Sequence, residues 1–459
     1  MSRSSSDNAF QTTRVERLTF PVYCMGKGIT FSFLSGYLML YLTDSLFISA
    51  FAVSAILLVT KAWDAINDPL FGMIVDRAHL KRGKFIPWLR ISQFLIPVAT
   101  LLIFIIPQTA SMGGRIAMAL ITYTLWGMSF TMSDVPIYSV LTAMTSNLNE
   151  RTRLLSYQGI MSLFTTLIIN VLIVPRLDSW GFTTAGIIVS VVSLGGMLFF
   201  PFVVQERNRE KIVAEEKYKI RDIWDYVVRN KYMLYYYGFI CIFGIFNLPL
   251  STYVIKHCLG SLEYVSTFTL FAIPVLILLY IFVPVIARKM DRMKIFKFFV
   301  FVLLASYIGM FFGGYANPMI FGMFWILISC SLLMSSMLLF SFGTDFVEYG
   351  NYITGMRKEG ITIAVQTFAN KIVAAAAAAL GALVLGIISY DPEAVTHTPE
   401  MLNMLFAVSC WVPVAGILLG LPLLMKCVFT SSDIQIMANV NNGTLSRQDG
   451  EERLSRHYE

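Results

Sequence analysis

Lys61-Ala62-Trp63-Asp64-Ala65-Ile66-Asn67-Asp68-Pro69 is the stretch from which the fold can be read. It is flanked by Phe51–Val59 and Leu70–Val75, whose composition is that of a membrane-spanning helix. On insertion scales a carboxylate at membrane depth costs about 2.5–3.5 kcal/mol. Asp64 and Asp68 stand at i and i+4, on one helix face, where they also repel each other. Such a pair persists where something positive compensates it, and a bound cation is the simplest candidate.

The rest of the chain has the same character. Of 459 residues, 56% are hydrophobic and 14% charged, and the mean hydropathy is +0.68. Soluble domains hold about 45–50% apolar and about 25% charged residues. Twelve apolar runs can be counted, centred near Ser32, Leu58, Pro97, Gly127, Leu163, Ser193, Ile242, Val275, Tyr307, Cys330, Ala376 and Val414. Each has about the 20 residues that cross the hydrocarbon layer. They are continuously apolar, without the alternation of a barrel strand, so each reads as a helix. The fold class expected is all-α integral membrane, with twelve transmembrane helices.

The net charge of +7 is not a nucleic-acid footprint. Basic residues cluster in alternate loops, at 77–84, 151–153, 207–231, 288–297 and 357–358, and in the two tails. The opposite loops carry Asp44, Asp178, Asp391, Glu393 and Glu400. By the positive-inside rule both termini are cytoplasmic and the number of spans is even. A multi-pass protein of the cell's inner (cytoplasmic) membrane is expected, acting as a monomer, with the bilayer as its surroundings and no nucleic-acid partner. The N-terminal residues lack the pattern of a signal peptide.

The longest internal polar segment, 205–231, falls near the midpoint and separates six helices from six. Two pseudo-symmetric bundles are therefore expected: a cytoplasmic N-terminal segment 1–20, a bundle 21–205, a cytoplasmic linker 206–230, a second bundle 231–428, and a cytoplasmic tail 429–459. The tail is polar and reads as partly disordered. Gly72-Met-Ile-Val-Asp76-Arg77 with Lys81-Arg82-Gly83-Lys84 follows the second run. A degraded copy, Ala287-Arg-Lys-Met-Asp291-Arg292-Met-Lys294, follows the eighth. This loop resembles the signature of the major facilitator superfamily.

Charges inside the spans are few and mark a candidate site. Asp64, Asn67 and Asp68 share a face, and hard cations take oxygen ligands. Lys61 can lean on the same carboxylates. On the fourth run Thr131 and Asp134 lie about a turn apart, with Pro136 and Tyr138 beyond. A carboxylate beside an aromatic ring suits sugar hydroxyls and the apolar sugar face. Thr367 and Lys371 lie on the eleventh run, Lys27 on the first. Across Lys61, Asp64, Asp68, Asp134 and Lys371, two lysines face three aspartates. One monovalent cation would neutralise the remaining charge.

Trp63-Asp64-Ala-Ile-Asn67-Asp68-Pro69 with Gly72 and Asp76, then Gly83-Lys84-Phe-Ile-Pro87-Trp88, resembles the glycoside–pentoside–hexuronide:cation symporter family. Asp345-Phe-Val-Glu348-Tyr349-Gly350, Gly355-Met-Arg357-Lys-Glu359-Gly360 and Lys371 resemble its later signature. The resemblance implies a cation site at Asp64, Asn67, Asp68 and Thr131, a metal site if the ion is Na⁺. It places Asp134, Tyr138, Thr367 and Lys371 at or beside the sugar. It implies cation-coupled (Na⁺ or H⁺) uptake of a sugar, glycoside or hexuronide by alternating access in the two-bundle major facilitator fold. The partners are then a small sugar and a monovalent cation, with no cofactor beyond the coupling ion.

The chain departs from the melibiose permease branch of that family at two sugar anchors. The first run has no carboxylate between Glu16 and Asp44, and Ser156-Tyr157-Gln158-Gly159-Ile160 has no arginine. Lys27 can then meet an anionic substrate or pair with an acidic neighbour. A different solute on the same fold, an amphipathic lipid or a sulfonated sugar, is the alternative function. Asp76, Arg77, Arg151, Asp345, Glu348, Arg357 and Glu359 are read as gating charges that pair in one state and part in the other. No catalytic triad, phosphate loop or Cys/His cluster occurs, so an enzyme is not expected.

Overall fold

A backbone in lipid must satisfy its own hydrogen bonds, and in this chain it does so as helices. The computed structural model describes residues 10–78, 83–145, 147–207, 220–286, 290–355, 358–392, 394, 397–455 and 458. The first six long helices are α1 (Arg14–Leu40), α2 (Ala50–Arg77), α3 (Ile86–Phe104), α4 (Met112–Met144), α5 (Leu148–Leu167) and α6 (Leu177–Met197). The next six are α7 (Lys231–Phe246), α8 (Glu263–Ile286), α9 (Arg292–Gly313), α10 (Pro318–Thr354), α11 (Glu359–Ile387) and α12 (Pro399–Lys426). Among the described residues ten helical stretches are long and apolar enough to cross a membrane. One of them, Arg153–Val203, contains most of α5 and all of α6, and α1 stands outside the set.

Local sequence sets the helix starts. Ser49 accepts from the amide of Ala52 to open α2, and Ser111 accepts from Gly114 to open α4. Thr13 and Glu16 form a reciprocal capping box at the start of α1, which satisfies two amides a helix start would otherwise orphan. The first helix therefore begins seven residues before the boundary expected at position 21. Pro318 and Pro399 each sit in the first turn of a helix, where the missing N–H costs nothing.

The chain divides into two compact units. The first is Met1–Glu215 with Ser261–Ser266 and Ala382–His397; the second is Glu216–Gly260, Thr267–Gly381 and Thr398–Glu459. In the first unit α1 packs on α5 and α6, α3 on α4 and α6, and α2 on α4. The α1–α6 crossing needs glycine on both sides. A Cβ on Gly26 would stand 2.7 Å from the Ser193 carbonyl oxygen, and one on Gly196 2.9 Å from the Gly26 Cα. Small residues allow this backbone approach.

Buried glutamates tie one end of this unit. Glu206 accepts from the amides of Lys84, Phe85 and Ile86 at 2.8, 2.8 and 3.0 Å, which covers the start of α3 with an anion. Glu16 pairs with Arg207 at 2.9 Å. Glu150 accepts from the amides of Gln11 and Thr12 and from Thr145.

In the second unit α7 packs on α12, and α9 on α10 and α12. Tyr236, Phe296, Phe342 and Phe346 form its aromatic centre. The polar tail departs from its sequence reading. It forms α13 (Ser431–Asn441) and α14 (Arg447–Arg453). Composition alone suggests too little apolar surface to order it. The structure orders it by burying Ile434 and Met437 and by gathering donors on the buried Asp433.

Candidate solute and cation site

Helix α2 turns its two carboxylates toward the same stretch of α4. Thr131 donates to Asp68 Oδ1 at 2.6 Å and also to the Gly127 carbonyl at 3.2 Å. One turn earlier on α2, the Asp64 carboxylate rests against Gly127, where any Cβ would collide with it. Gly127 and Thr131 stand at i and i+4 on α4, so both carboxylates meet one helical face. Lys61 Nζ donates to Asp64 Oδ2 at 3.1 Å and lies 5.5 Å from the Tyr123 ring centre. Among the described residues, the other oxygen, Asp64 Oδ1, is buried and has no hydrogen-bond partner; neither has Asn67 Nδ2. An unpartnered buried polar atom costs about 1–3 kcal/mol, and more when charged.

A turn further along α4, Lys27 of α1 donates to Asp134 Oδ1. The lysine side chain is 8% exposed and the aspartate 49%. The ammonium sits 4.4 Å from the centre of the Phe130 ring and 5.9 Å from that of Tyr138, within cation–π reach. Gln158 of α5 donates to the Tyr138 hydroxyl at 3.1 Å. Half-exposed Asp134 and Tyr138 thus stand beside Lys27 as a carboxylate, an aromatic face and an ammonium grouped together. That set suits a polyhydroxylated ring.

The first unit therefore brings together Lys27, Asp64, Asn67, Asp68, Thr131, Asp134 and Tyr138. Lys27 takes the acidic-neighbour option left open by the sequence, so it is Lys27 that stands against Asp134. Among Lys27, Lys61, Asp64, Asp68 and Asp134, two lysines again face three aspartates. Thr367 and Lys371 belong to α11 in the second unit, Thr367 exposed and Lys371 half-buried.

Three of the charges read as gates have partners within their own unit. Asp345 accepts from Arg292 at 2.8 Å, and Glu348 accepts from Asn441 of the tail at 2.9 Å. Arg151 donates to the carbonyls of Thr145 and Thr142. Arg77 is exposed at the last turn of α2. Arg357 lies outside the described residues, as do the side chains of Asp76 and Glu359. Among the described residues there is no cluster of three or more His, Cys, Asp or Glu that would hold a metal ion.

Sequence reasoning passed over Gly127, Phe130 and the role of Gln158. A glycine in the middle of a spanning helix, four residues before Thr131, was the available signal for the first.

Residues 22–429 match the family model described as MFS/sugar transport protein. The chain belongs to this family. Its relatives include a Bacillus subtilis protein named as the uncharacterized symporter YjmB, 27% identical over 419 residues, covering 85% of this chain and 86% of that one. They also include the glucuronide carrier protein homolog of Escherichia coli, 24% identical, covering 90% of this chain and 92% of its own. The solved nucleoside transporter NupG has the same fold, with a TM-score of 0.63, 11% identity, and coverage of 91% of this chain and all of that one. The MFS/sugar transport member described here is thus an all-α, multi-pass membrane transporter and not an enzyme.

Proposed function

We propose that this MFS/sugar transport protein imports a sugar, glycoside or hexuronide by cation-coupled symport. The observation that carries the reading is the α2–α4 corner. Asp64 keeps a buried, unpartnered oxygen there, a turn away from Asp68 and its Thr131 partner. A monovalent cation at this corner takes oxygens from Asp64 and Asp68. Thr131 keeps lone pairs after donating, and the Asn67 amide has an acceptor oxygen to turn inward. Neutral oxygens beside carboxylates favour Na⁺ over a proton, which needs a carboxylate alone. Within the first unit the solute is held by Lys27, Asp134 and Tyr138. Relatives named for symport and for glucuronide carriage support a sugar-class solute.

Coupling follows from charge. Taken at formal charge, Lys27, Lys61, Asp64, Asp68 and Asp134 leave one negative charge at this site, and enclosing a net charge away from water is costly. Cation loading and solute binding then favour each other by one common factor. The alternation of basic and acidic loops supports both termini being cytoplasmic, in a multi-pass protein of the inner membrane. The protein works as a monomer.

A thermal-shift panel of sugars, glycosides and uronides on the purified protein, with and without Na⁺, tests this reading. Ligands of the folded state raise its midpoint. A shift with a sugar that grows with Na⁺ is expected. No shift with any sugar on the panel would overturn the solute assignment.

A further inference from the structure

The C-terminal tail makes contacts that a passive extension does not need. Asp433 of α13 is 1% exposed, and its carboxylate collects four donors. They are the hydroxyl of Thr430 at 2.7 Å, the amide and hydroxyl of Ser455 at 2.9 and 2.6 Å, and the hydroxyl of Tyr458 at 2.5 Å. Two of the three donor residues lie more than 20 positions further along the chain, so Asp433 folds the tail back on itself. Hydrogen bonds to an ionised acceptor are about twice as strong as neutral ones.

The closed tail touches three different helices. Tyr458 packs edge-on against Tyr232 of α7 and Tyr349 of α10, with ring centres 5.9 and 6.2 Å apart. Asn441 donates to both the backbone and the carboxylate of Glu348 on α10, at 2.9 Å each. Ser431 donates to Asp291, the residue that opens α9, through its amide at 3.1 Å and its hydroxyl at 3.2 Å. Neighbouring Arg292 returns a bond to Ser431 and reaches across to Asp345 of α10. The starts of α7 and α9 and the end of α10 are therefore tied through one segment outside the bundle.

We propose that this tail is a releasable strap. Asp433 latches it, and in the latched state it clamps the ends of α7, α9 and α10 to one another. When the latch opens, the last three turns of α10, with Asp345, Glu348 and Tyr349, are freed to move independently of α9. The strap is held by polar bonds, the ring of Tyr458 and the short buried face of Ile434 and Met437, whereas the helices beneath it are joined by an extended aromatic core. The strap is thus the layer that detaches first.

Hydrogen exchange on the full-length protein in nanodiscs tests this, comparing the native chain with Asp433→Ala and with a chain ending at residue 428. In the native protein, amides 431–441 and 346–354 exchange slowly. Asp433→Ala should raise exchange in 431–441 at least about tenfold, the effect of losing charge-assisted bonds. Exchange in 346–354 and 292–296 should rise with it in both altered chains. Exchange within 405–417 of α12 should stay at its native rate, which separates local release from general destabilisation. Unaltered exchange in 431–441 of Asp433→Ala would overturn the latch. A released or absent tail with native exchange in 346–354 and 292–296 would overturn the strap.

Discussion

The hydroxyl of Thr131 on α4 donates to the carboxylate of Asp68 on α2 across 2.6 Å. This contact turns a sequence pattern into a place. It fixes which face of α4 the two α2 carboxylates address, and Gly127 on that face is where Asp64 comes to rest. A cation corner needs both: an oxygen that can share its lone pairs and a gap wide enough for a carboxylate.

Gly127→Ala fills that gap. The added Cβ forces the Asp64 carboxylate away from α4 without creating a cavity or a buried charge elsewhere. Apparent cation affinity, read as the Na⁺ dependence of sugar-induced thermal stabilisation, should fall about tenfold, near the 1.4 kcal/mol that corresponds to that factor. The midpoint without ligands should move little. Native cation dependence in Gly127→Ala would show that Asp64 does not serve this corner.

The Lys27–Asp134 pair is unequal in exposure, and its two deletions should be unequal too. Asp134→Ala leaves a buried ammonium without its carboxylate, for which losses of about 3 kcal/mol are typical. Lys27→Ala leaves a half-exposed carboxylate that water can solvate, so its cost should be smaller, on the order of 1 kcal/mol. Thermal midpoints of the two variants rank them, with Asp134→Ala the lower. The same variant should lose sugar binding while Na⁺ still stabilises the protein.

Glu150 gives the pH dependence a defined sign. Burial pushes its carboxyl up, but bonds from Thr12, Thr145 and the amides of Gln11 and Thr12 outweigh burial and hold it below the usual carboxylate range. A carboxyl depressed on folding contributes stability in full above its unfolded pKa of about 4.3 and loses it as pH falls through the folded value. The midpoint should therefore be insensitive to Glu150 ionisation between about pH 5 and 7 and decline below about pH 4. Glu150→Gln should lower the midpoint at pH 7 and flatten that acid decline.

Much of the fold was legible because lipid imposes long, continuously apolar helices, and these can be counted from composition. The carboxylate pair was legible because i and i+4 neighbours share a face whatever surrounds them. Pairings over long separations were not. Lys27 and Asp134 are 107 residues apart, and no local pattern says which of several aspartates a lysine will meet. No local pattern marks Glu16, Glu150 and Glu206 for burial, which arises only when distant amides converge on them. The tail misled for the same reason. Its order rests on four donors around Asp433, three of them from positions 455 and 458.

The central claim is that Asp64 and Asp68 couple a cation gradient to sugar movement. Its most direct test is sugar accumulation in proteoliposomes under an imposed inward Na⁺ or H⁺ gradient, for the native protein and for Asp68→Cys. The native protein should concentrate the sugar above its outside level and release it when the gradient is collapsed. Asp68→Cys should at most equilibrate it. Full gradient-driven accumulation by Asp68→Cys would contradict the account.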